Sequence, residues 1–224
     1  EHPEYFSLVN GQRLKDKTQL CLTNPEVLAR AIAKAREWAA AAGGANIMSI
    51  SQNDWENPCE CPGCKAIDER EGSHAGSLIA FVNQVGEAIE KDYPQAAVET
   101  LAYLHTRKPP RSLKPRPNVI VRLCSIECCF VHPLDGCPEK SNTSFMEDLR
   151  GWNRLTKRLY VWDYTCNYNH FQMPFPNLDI LDDNMRTFRD HGVVGMFPEG
   201  NSTFGGELGE LRAWVLTQLM FLLK

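Results

Sequence analysis

The sequence predicts an α/β protein: a (β/α)8 barrel of the TIM type, truncated at its N-terminus, with about six of the eight strands present in a single domain over residues 1–224. Three observations predict it. Strand-like apolar runs alternate with stretches of helical period, which argues for a mostly parallel sheet. Several of those runs end in a carboxylate, where barrels of this type carry their chemistry. The chain has 224 residues, against roughly 250 for a complete barrel, so the first two strands are expected upstream of Glu1. A complete, open, doubly wound sheet is the competing architecture. No glycine-rich phosphate loop follows any strand, which argues against a nucleotide-binding sheet.

The elements follow in order. Gln19-Leu20-Cys21-Leu22 is a short apolar run. Thr23 or Asn24 then caps a helix with Pro25 at its first position, and this Ala-rich helix stops near Ala42 at Gly43-Gly44. A strand over 46–51 leads into a cysteine-rich loop. A helix over about 77–91 carries Leu78, Phe81, Val82, Val85, Ala88 and Ile89 at three- and four-residue spacing. Residues 98–103 form the next strand, and HTRKPPRSLKPRPN after it has four prolines and no helical period, so it is a loop. Strands are expected at 119–125, 159–164 and 193–197, and helices at 144–155, 181–191 and 206–223.

The composition is that of an ordinary globular chain, 43% hydrophobic with a formal net charge of −4. The mild acidity gives no reason to expect nucleic acid or an anionic membrane as partner. The most apolar stretch, 213–223, contains Thr217 and Gln218 and is too short to span a bilayer. The chain opens on Glu1 rather than Met, so targeting cannot be read from it. Its nine cysteines are an odd number, which leaves at least one thiol unpaired within the chain; Cys21, Cys124 and Cys166 lie in or beside apolar strand patterns and are expected to be buried thiols.

The candidate chemistry sits at the strand ends. Ser51-Gln52-Asn53-Asp54-Trp55 ends one strand, SIECC with Glu127 ends another, and Trp162-Asp163-Tyr164 ends a third. Glycoside hydrolysis commonly needs one carboxylic acid to protonate the leaving oxygen and a second group to stabilise or attack the anomeric carbon. Asp54, Glu127 and Asp163 are therefore the catalytic candidates. Gln52, Asn53, Trp55, Tyr103, His105, Trp162, Tyr164, Glu199 and Asn201 are the substrate-binding candidates, the aromatic ones as platforms for sugar faces. Capping of the next helix or pairing with arginine is the alternative for each carboxylate, and Arg122, inside a strand, is expected to pair with a buried acid. The basic loop with Arg107, Lys108, Arg111, Lys114 and Arg116 reads as a stiff solvated connection, with recognition of an acidic sugar as the sharper alternative.

Cys59, Cys61 and Cys64 have thiolate-ligand spacing. Structural zinc usually takes four ligands, and His74 or one of Cys128, Cys129 and Cys137 could complete the set. A structural zinc, a disulfide and plain loop thiols all remain open at this point; no cofactor is required for the chemistry. A zinc here would staple the loop rather than do catalysis.

HPEYFSLVNG at 2–11, QLCLTNPEV, SQNDW followed by CECPGC, YLHTRKPP, RPNVIVRLCSIECCF, LYVWDYT and GGELGELRAWVL occur in that order along nearly the whole chain. Together they resemble the bacterial proteins long called domain of unknown function 4838, now glycoside hydrolase family 163. The resemblance implies a TIM-barrel catalytic domain, endo-β-N-acetylglucosaminidase-like action on N-glycans, and a secreted or periplasmic location. The chain departs from that pattern at Phe197-Pro198-Glu199, where Phe-Glu is expected before Gly-Asn. By analogy with barrels whose acid follows the fourth strand, Asp54 would be the general acid and Asn53 would hold the substituent on sugar carbon 2. Glu127 and Asp163 would supply the second function, with the substrate's own acetamido carbonyl as nucleophile in a substrate-assisted route. The rival readings are a carbohydrate-binding barrel without chemistry and a metal-dependent hydrolase using the cysteine-rich loop.

Overall fold

The computed structural model describes residues 2–44, 46–203 and 205–222. A two-stranded antiparallel hairpin, β1 (Leu8–Val9) and β2 (Gln12–Arg13), comes first. Then follow α1 (Pro25–Ala41), β3 (Ile47–Ser49), α2 (Pro62–Glu71), α3 (Ala75–Asp92), β4 (Ala97–Ala102) and β5 (Val119–Cys124). The chain closes with α4 (Lys140–Leu155), β6 (Leu159–Tyr164), α5 (Leu181–Asp190), β7 (Val193–Glu199) and α6 (Gly209–Leu222). The main sheet has five strands in chain order, β3-β4-β5-β6-β7, with β3–β4 and β6–β7 paired in parallel. This is the α/β alternation expected of a barrel lacking its first strands.

The chain divides into two compact units, Glu1–Arg122 and Leu123–Lys224, and the division falls within β5. In the first, α1 starts where the sequence predicts: Asn24 Oδ1 accepts the N–H groups of Glu26 (2.9 Å) and Val27 (3.2 Å), with Pro25 at the first helical position. The apolar stripe of α3, with Leu78, Phe81, Val82, Val85 and Ile89, packs with Ala35 and Ala39 of α1 onto Met48, Val98 and Val119 of the strands. Truncating one of the large members to alanine costs roughly 2–5 kcal/mol. The Val98 N–H donates to the Asn118 carbonyl at 3.0 Å at the start of β5. In the second unit Phe145, Leu149 and Trp152 of α4, Leu159 and Val161 of β6, and Leu181, Met185 and Phe188 of α5 are buried. The Phe145 and Phe188 rings meet edge to face at 6.4 Å. The fully buried Arg212 of α6 donates to Asn177 Oδ1, to the Phe175 and Glu207 carbonyls and to the Glu207 carboxylate.

Four expectations need correction. The main sheet has five strands, not six, because the Gln19–Leu22 run makes only a single bridge, Phe6 to Leu20; the Gln19 side chain is spent elsewhere, as described below. The hairpin β1–β2 was not expected, although Asn10-Gly11 is a strong turn signal: its residues take φ +49° and +78°, the left-handed pair that such a turn requires. The cysteine-rich stretch is a loop only to Cys61, after which Pro62 opens α2. Helix α4 begins at Lys140, ahead of the predicted 144, since its first turn is polar and carries no apolar period. Leu223, the predicted end of the last helix, lies outside the described residues. No helix among the described residues is long and apolar enough to cross a membrane.

One irregularity marks the second unit. Between β6 and β7, Leu159 pairs with Val193 but Tyr160 pairs with Gly195, so Val194 is an extra residue on β7. Gly195 must lack a side chain there, because a Cβ would come within 2.5 Å of the Tyr160 ring.

Candidate functional site

In the first unit, the segment after β3 is held by a residue that the sequence did not flag. Gln19, 6% exposed, accepts the Asn53 N–H at its Oε1 (2.8 Å) and donates from its Nε2 to the carbonyls of Asn53 (2.9 Å) and Trp55. Asn53 adds a bond from Nδ2 to the Thr18 carbonyl at 2.8 Å. This clamp leaves Asp54 exposed, and the hydroxyl of Tyr103, just past the end of β4, donates to Asp54 Oδ1 at 3.0 Å. Trp55 is 48% exposed, with Lys17 Nζ 5.4 Å above its ring.

Tyr103 leads into a single 3-10 turn, Leu104–Thr106, in which Leu104 takes φ +48°. A non-glycine residue in that region stores strain of roughly 1–3 kcal/mol, and such strain clusters at functional sites. The Thr106 hydroxyl donates to Gln52 Oε1, while Gln52 Nε2 is buried with no hydrogen-bond partner among the described residues. Gln52, Asn53, His74, His105 and Thr106 line a cavity of about 380 Å³ whose other walls include the apolar Leu22, Phe81 and Ile50 and the basic Arg30 and Lys34. Burial pushes the pKa of His105 down, a shift only partly offset by Glu56 at 3.5 Å. His74 is pushed up by its hydrogen bond to Asp68 Oδ2 at 2.8 Å. Arg122 pairs with a buried acid, as expected; the acid is Glu99 of β4, at 2.6 Å. Burial raises the pKa of Glu99, and Arg122 opposes that rise.

The cysteines converge. The ligand atoms of Cys59, Cys61, Cys64 and Cys21 all lie within 4.8 Å of one another, and all four residues are buried. The completing residue is Cys21 rather than His74, whose ring is engaged with Asp68. Cys21 is buried, as the sequence predicts, but not isolated. Spacing could not reveal this, since Cys21 lies 38 residues before the cluster.

In the second unit, Asp163 is 4% exposed and accepts the Ser125 hydroxyl at 2.6 Å. Burial pushes its pKa up to about 6, against the pull of Ser125 and the Tyr164 N–H. Glu127 is exposed. Trp162, Tyr164 and Phe197 form an aromatic group: the Trp162 ring stacks near Tyr164 (6.5 Å) and meets Phe197 edge-on (4.6 Å). Trp162 Nε1 donates to Glu199 Oε2 at 2.8 Å, and the hydroxyls of Thr165 (2.7 Å) and Tyr168 (2.6 Å) donate to the Glu199 carbonyl. Asn201 donates to the Thr203 carbonyl and lines a smaller cavity of about 190 Å³ with Cys166 and Arg212. A second group, Cys129, His132 and Cys137, offers three further ligand atoms within 4.8 Å of one another.

The structure thus brings Gln52, Asn53, Asp54, Trp55, Tyr103 and His105 together in one unit, and Trp162, Tyr164 and Glu199 in the other, where Asp163 lies buried against Ser125 instead. Gln19, Glu99, Thr106 and Ser125, and the Thr18 carbonyl, carry no local signal in the sequence, for they act through contacts far apart along the chain.

No curated protein matches the chain. Among solved structures, a native Bacteroidetes-affiliated GH5 cellulase linked with a polysaccharide utilization locus superposes over 98% of this chain and 68% of its own, with a TM-score of 0.59 at 10% identity. A GH5-4 broad-specificity endoglucanase from Bacteroides salanitronis superposes over 88% of this chain and 62% of its own, with a TM-score of 0.50 at 11% identity. At that identity the likeness concerns the fold alone, a barrel of which this chain spans about two thirds. Residues 1–223 match the family model described as Domain of unknown function (DUF4838), and the protein belongs to that family.

Proposed function

We propose that the protein is a glycoside hydrolase acting on N-glycans or related glycans, with endo-β-N-acetylglucosaminidase-like specificity as in glycoside hydrolase family 163. The observation that carries the reading is the exposed Asp54 carboxylate, held at the C-terminal end of a parallel strand by the Tyr103 hydroxyl at 3.0 Å. Family membership and the likeness of fold to two GH5 enzymes support it.

Asp54 acts as general acid, protonating the departing glycosidic oxygen as its bond to the anomeric carbon breaks. The clamp on Asn53 uses its Nδ2, leaving Oδ1 to accept the N–H of a 2-acetamido group. The acetamido carbonyl oxygen bonds to the anomeric carbon as the leaving group departs, forming an oxazolinium ion; water then displaces that oxygen, restoring the acetamide, and gives its proton to the Asp54 carboxylate. Glu127, exposed just past the end of β5, supplies the second function; Asp163, buried against Ser125, positions its strand end instead. Trp162, half-buried, offers a stacking face, with the buried Tyr164 stacked beside it as support, and Glu199 and Asn201 offer polar groups for hydroxyls. The chemistry requires no cofactor, and the enzyme works in a secreted or periplasmic setting. The burial of Asp163 also favours one alternative, a carbohydrate-binding barrel without turnover.

Hydrolysis of an aryl β-N-acetylglucosaminide and glycan release from a glycopeptide test both. Asp54→Asn is expected to lower turnover roughly 100-fold or more with glycan affinity retained. Unchanged turnover in that variant overturns the acid assignment. Glycan binding by the wild type with no turnover establishes the alternative.

A further inference from the structure

The four buried thiols of Cys21, Cys59, Cys61 and Cys64 belong to no step of the proposed chemistry. Their sulfurs do not fall into two pairs: all four lie within 4.8 Å of one another, and Cys21 Sγ and Cys61 Sγ are 3.5 Å apart. A tetrahedron of sulfurs around zinc at about 2.3 Å requires sulfur–sulfur separations of roughly 3.8 Å. An iron–sulfur cluster would need a wider cage, and a disulfide a separation of about 2.05 Å. The spacing therefore suits one metal atom.

The surroundings suit thiolates. The Leu8 N–H points at Cys59 Sγ at 3.4 Å, with Arg13 Nη1 at 3.8 Å. The Thr23 hydroxyl lies 3.3 Å from Cys61 Sγ and 3.4 Å from Cys64 Sγ. Cys61 caps α2 and Cys64 sits in its first turn, where the unpaired N–H groups and helix dipole favour negative charge. Such outer contacts orient metal ligands and spread their charge.

We propose that Cys21, Cys59, Cys61 and Cys64 bind a structural zinc ion. It ties three segments that have little regular structure of their own: the β1–β2 hairpin, through Leu8 and Arg13; the run before α1, through Cys21; and the loop between β3 and α2. The hairpin is already seated on that loop, since the Glu60 N–H donates to the Leu8 carbonyl and the Asn10 N–H to Glu60 Oε2, both at 2.8 Å. Four thiols lose their protons to bulk water as the ion binds, so no redox partner is needed.

The test is metal analysis of the protein purified without chelator, together with alkylation mapped by mass spectrometry. Zinc is expected, with Cys21, Cys59, Cys61 and Cys64 resistant to alkylation until a chelator strips the ion. Cys21→Ser should hold about one equivalent less zinc than the wild type, and Cys124→Ala should match the wild type. If Cys21→Ser does not fold, the wild-type alkylation pattern decides alone. Iron in place of zinc, a mass lowered by two hydrogens for each bridge at these cysteines, or free alkylation before chelation would each overturn the proposal. None of these readouts depends on glycosidase activity.

Discussion

The Tyr103 hydroxyl donates to Asp54 Oδ1 at 3.0 Å, joining residues just past the ends of the paired strands β4 and β3. Asp54 is exposed, so this bond rather than packing fixes where its carboxyl points. A hydrogen bond to a charged group contributes about 1.5 kcal/mol. Tyr103→Phe is therefore expected to lower kcat/KM about tenfold while the thermal midpoint stays within about 1 °C; steady-state kinetics and melting of the same preparation check it.

Gln19 acts one step further out. Its amide bridges the Asn53 N–H, the Asn53 carbonyl and the Trp55 carbonyl. Gln19→Glu keeps the acceptor but loses both donations, whereas Gln19→Ala loses everything. A graded fall in kcat, smaller for Glu than for Ala, is expected, with a stability loss of about 2 kcal/mol for Ala in urea titrations. Wild-type kcat in Gln19→Glu would show that only side-chain volume matters at this position.

Asp163 gives a prediction in pH. Its folded pKa is raised to about 6, so the folded state holds its proton more tightly than the unfolded one. That contribution to stability is complete below about pH 4 and is lost as pH rises to about 6. Asp163→Asn, which can still accept from Ser125, escapes the loss. Relative to wild type it is expected to gain about 2 kcal/mol between pH 4 and pH 7, from a shift of 3.8 to about 6. Urea unfolding at the two pH values measures it.

Glu71 straps down the proline-rich connection between β4 and β5. Its carboxylate accepts the N–H groups of Ser112 (2.9 Å) and Leu113 (3.0 Å). Burial pushes its pKa up, but these N–H groups and Arg70 outweigh it and hold the value at about 2. A depressed acid stabilises the fold above its unfolded pKa, and the benefit is lost as pH falls from about 4 to about 2. Glu71→Ala should open the loop to trypsin at Arg107 and Arg111 at least about tenfold faster, read by timed digestion.

Much of the fold was legible because it is written in local signals. Asn24-Pro25 starts α1, the stripe from Leu78 to Ile89 marks α3, and the β-branched run at 119–124 marks β5. The exposed ends of those strands were legible for the same reason, since an apolar run that turns polar names its own tip. The Asp54 loop was found, but its supports were not: Gln19 reaches it across 34 residues, and no periodicity records such a contact. Asp163 was misplaced in kind rather than position, because Trp162-Asp163-Tyr164 reads as an open tip while strand alternation turns its middle residue inward beside Leu159 and Val161. Cys21 shows the same limit, an apolar-looking thiol whose partners arrive only through folding.

Val194 has the widest consequence in the second unit. Neighbouring residues of a strand point to opposite faces, so one additional residue reverses the parity of everything beyond it. With the insertion, Trp162 pairs with Phe197 and Tyr164 with Glu199, and the indole N–H meets the Glu199 carboxylate. Were Val194 instead paired with Tyr160 in unbroken register, Met196 and Pro198 would take those places, with the carboxylate turned to the other face. A single exposed valine that bears no chemistry is thereby the phase marker that decides on which face of the sheet the Glu199 carboxylate joins Trp162 and Tyr164.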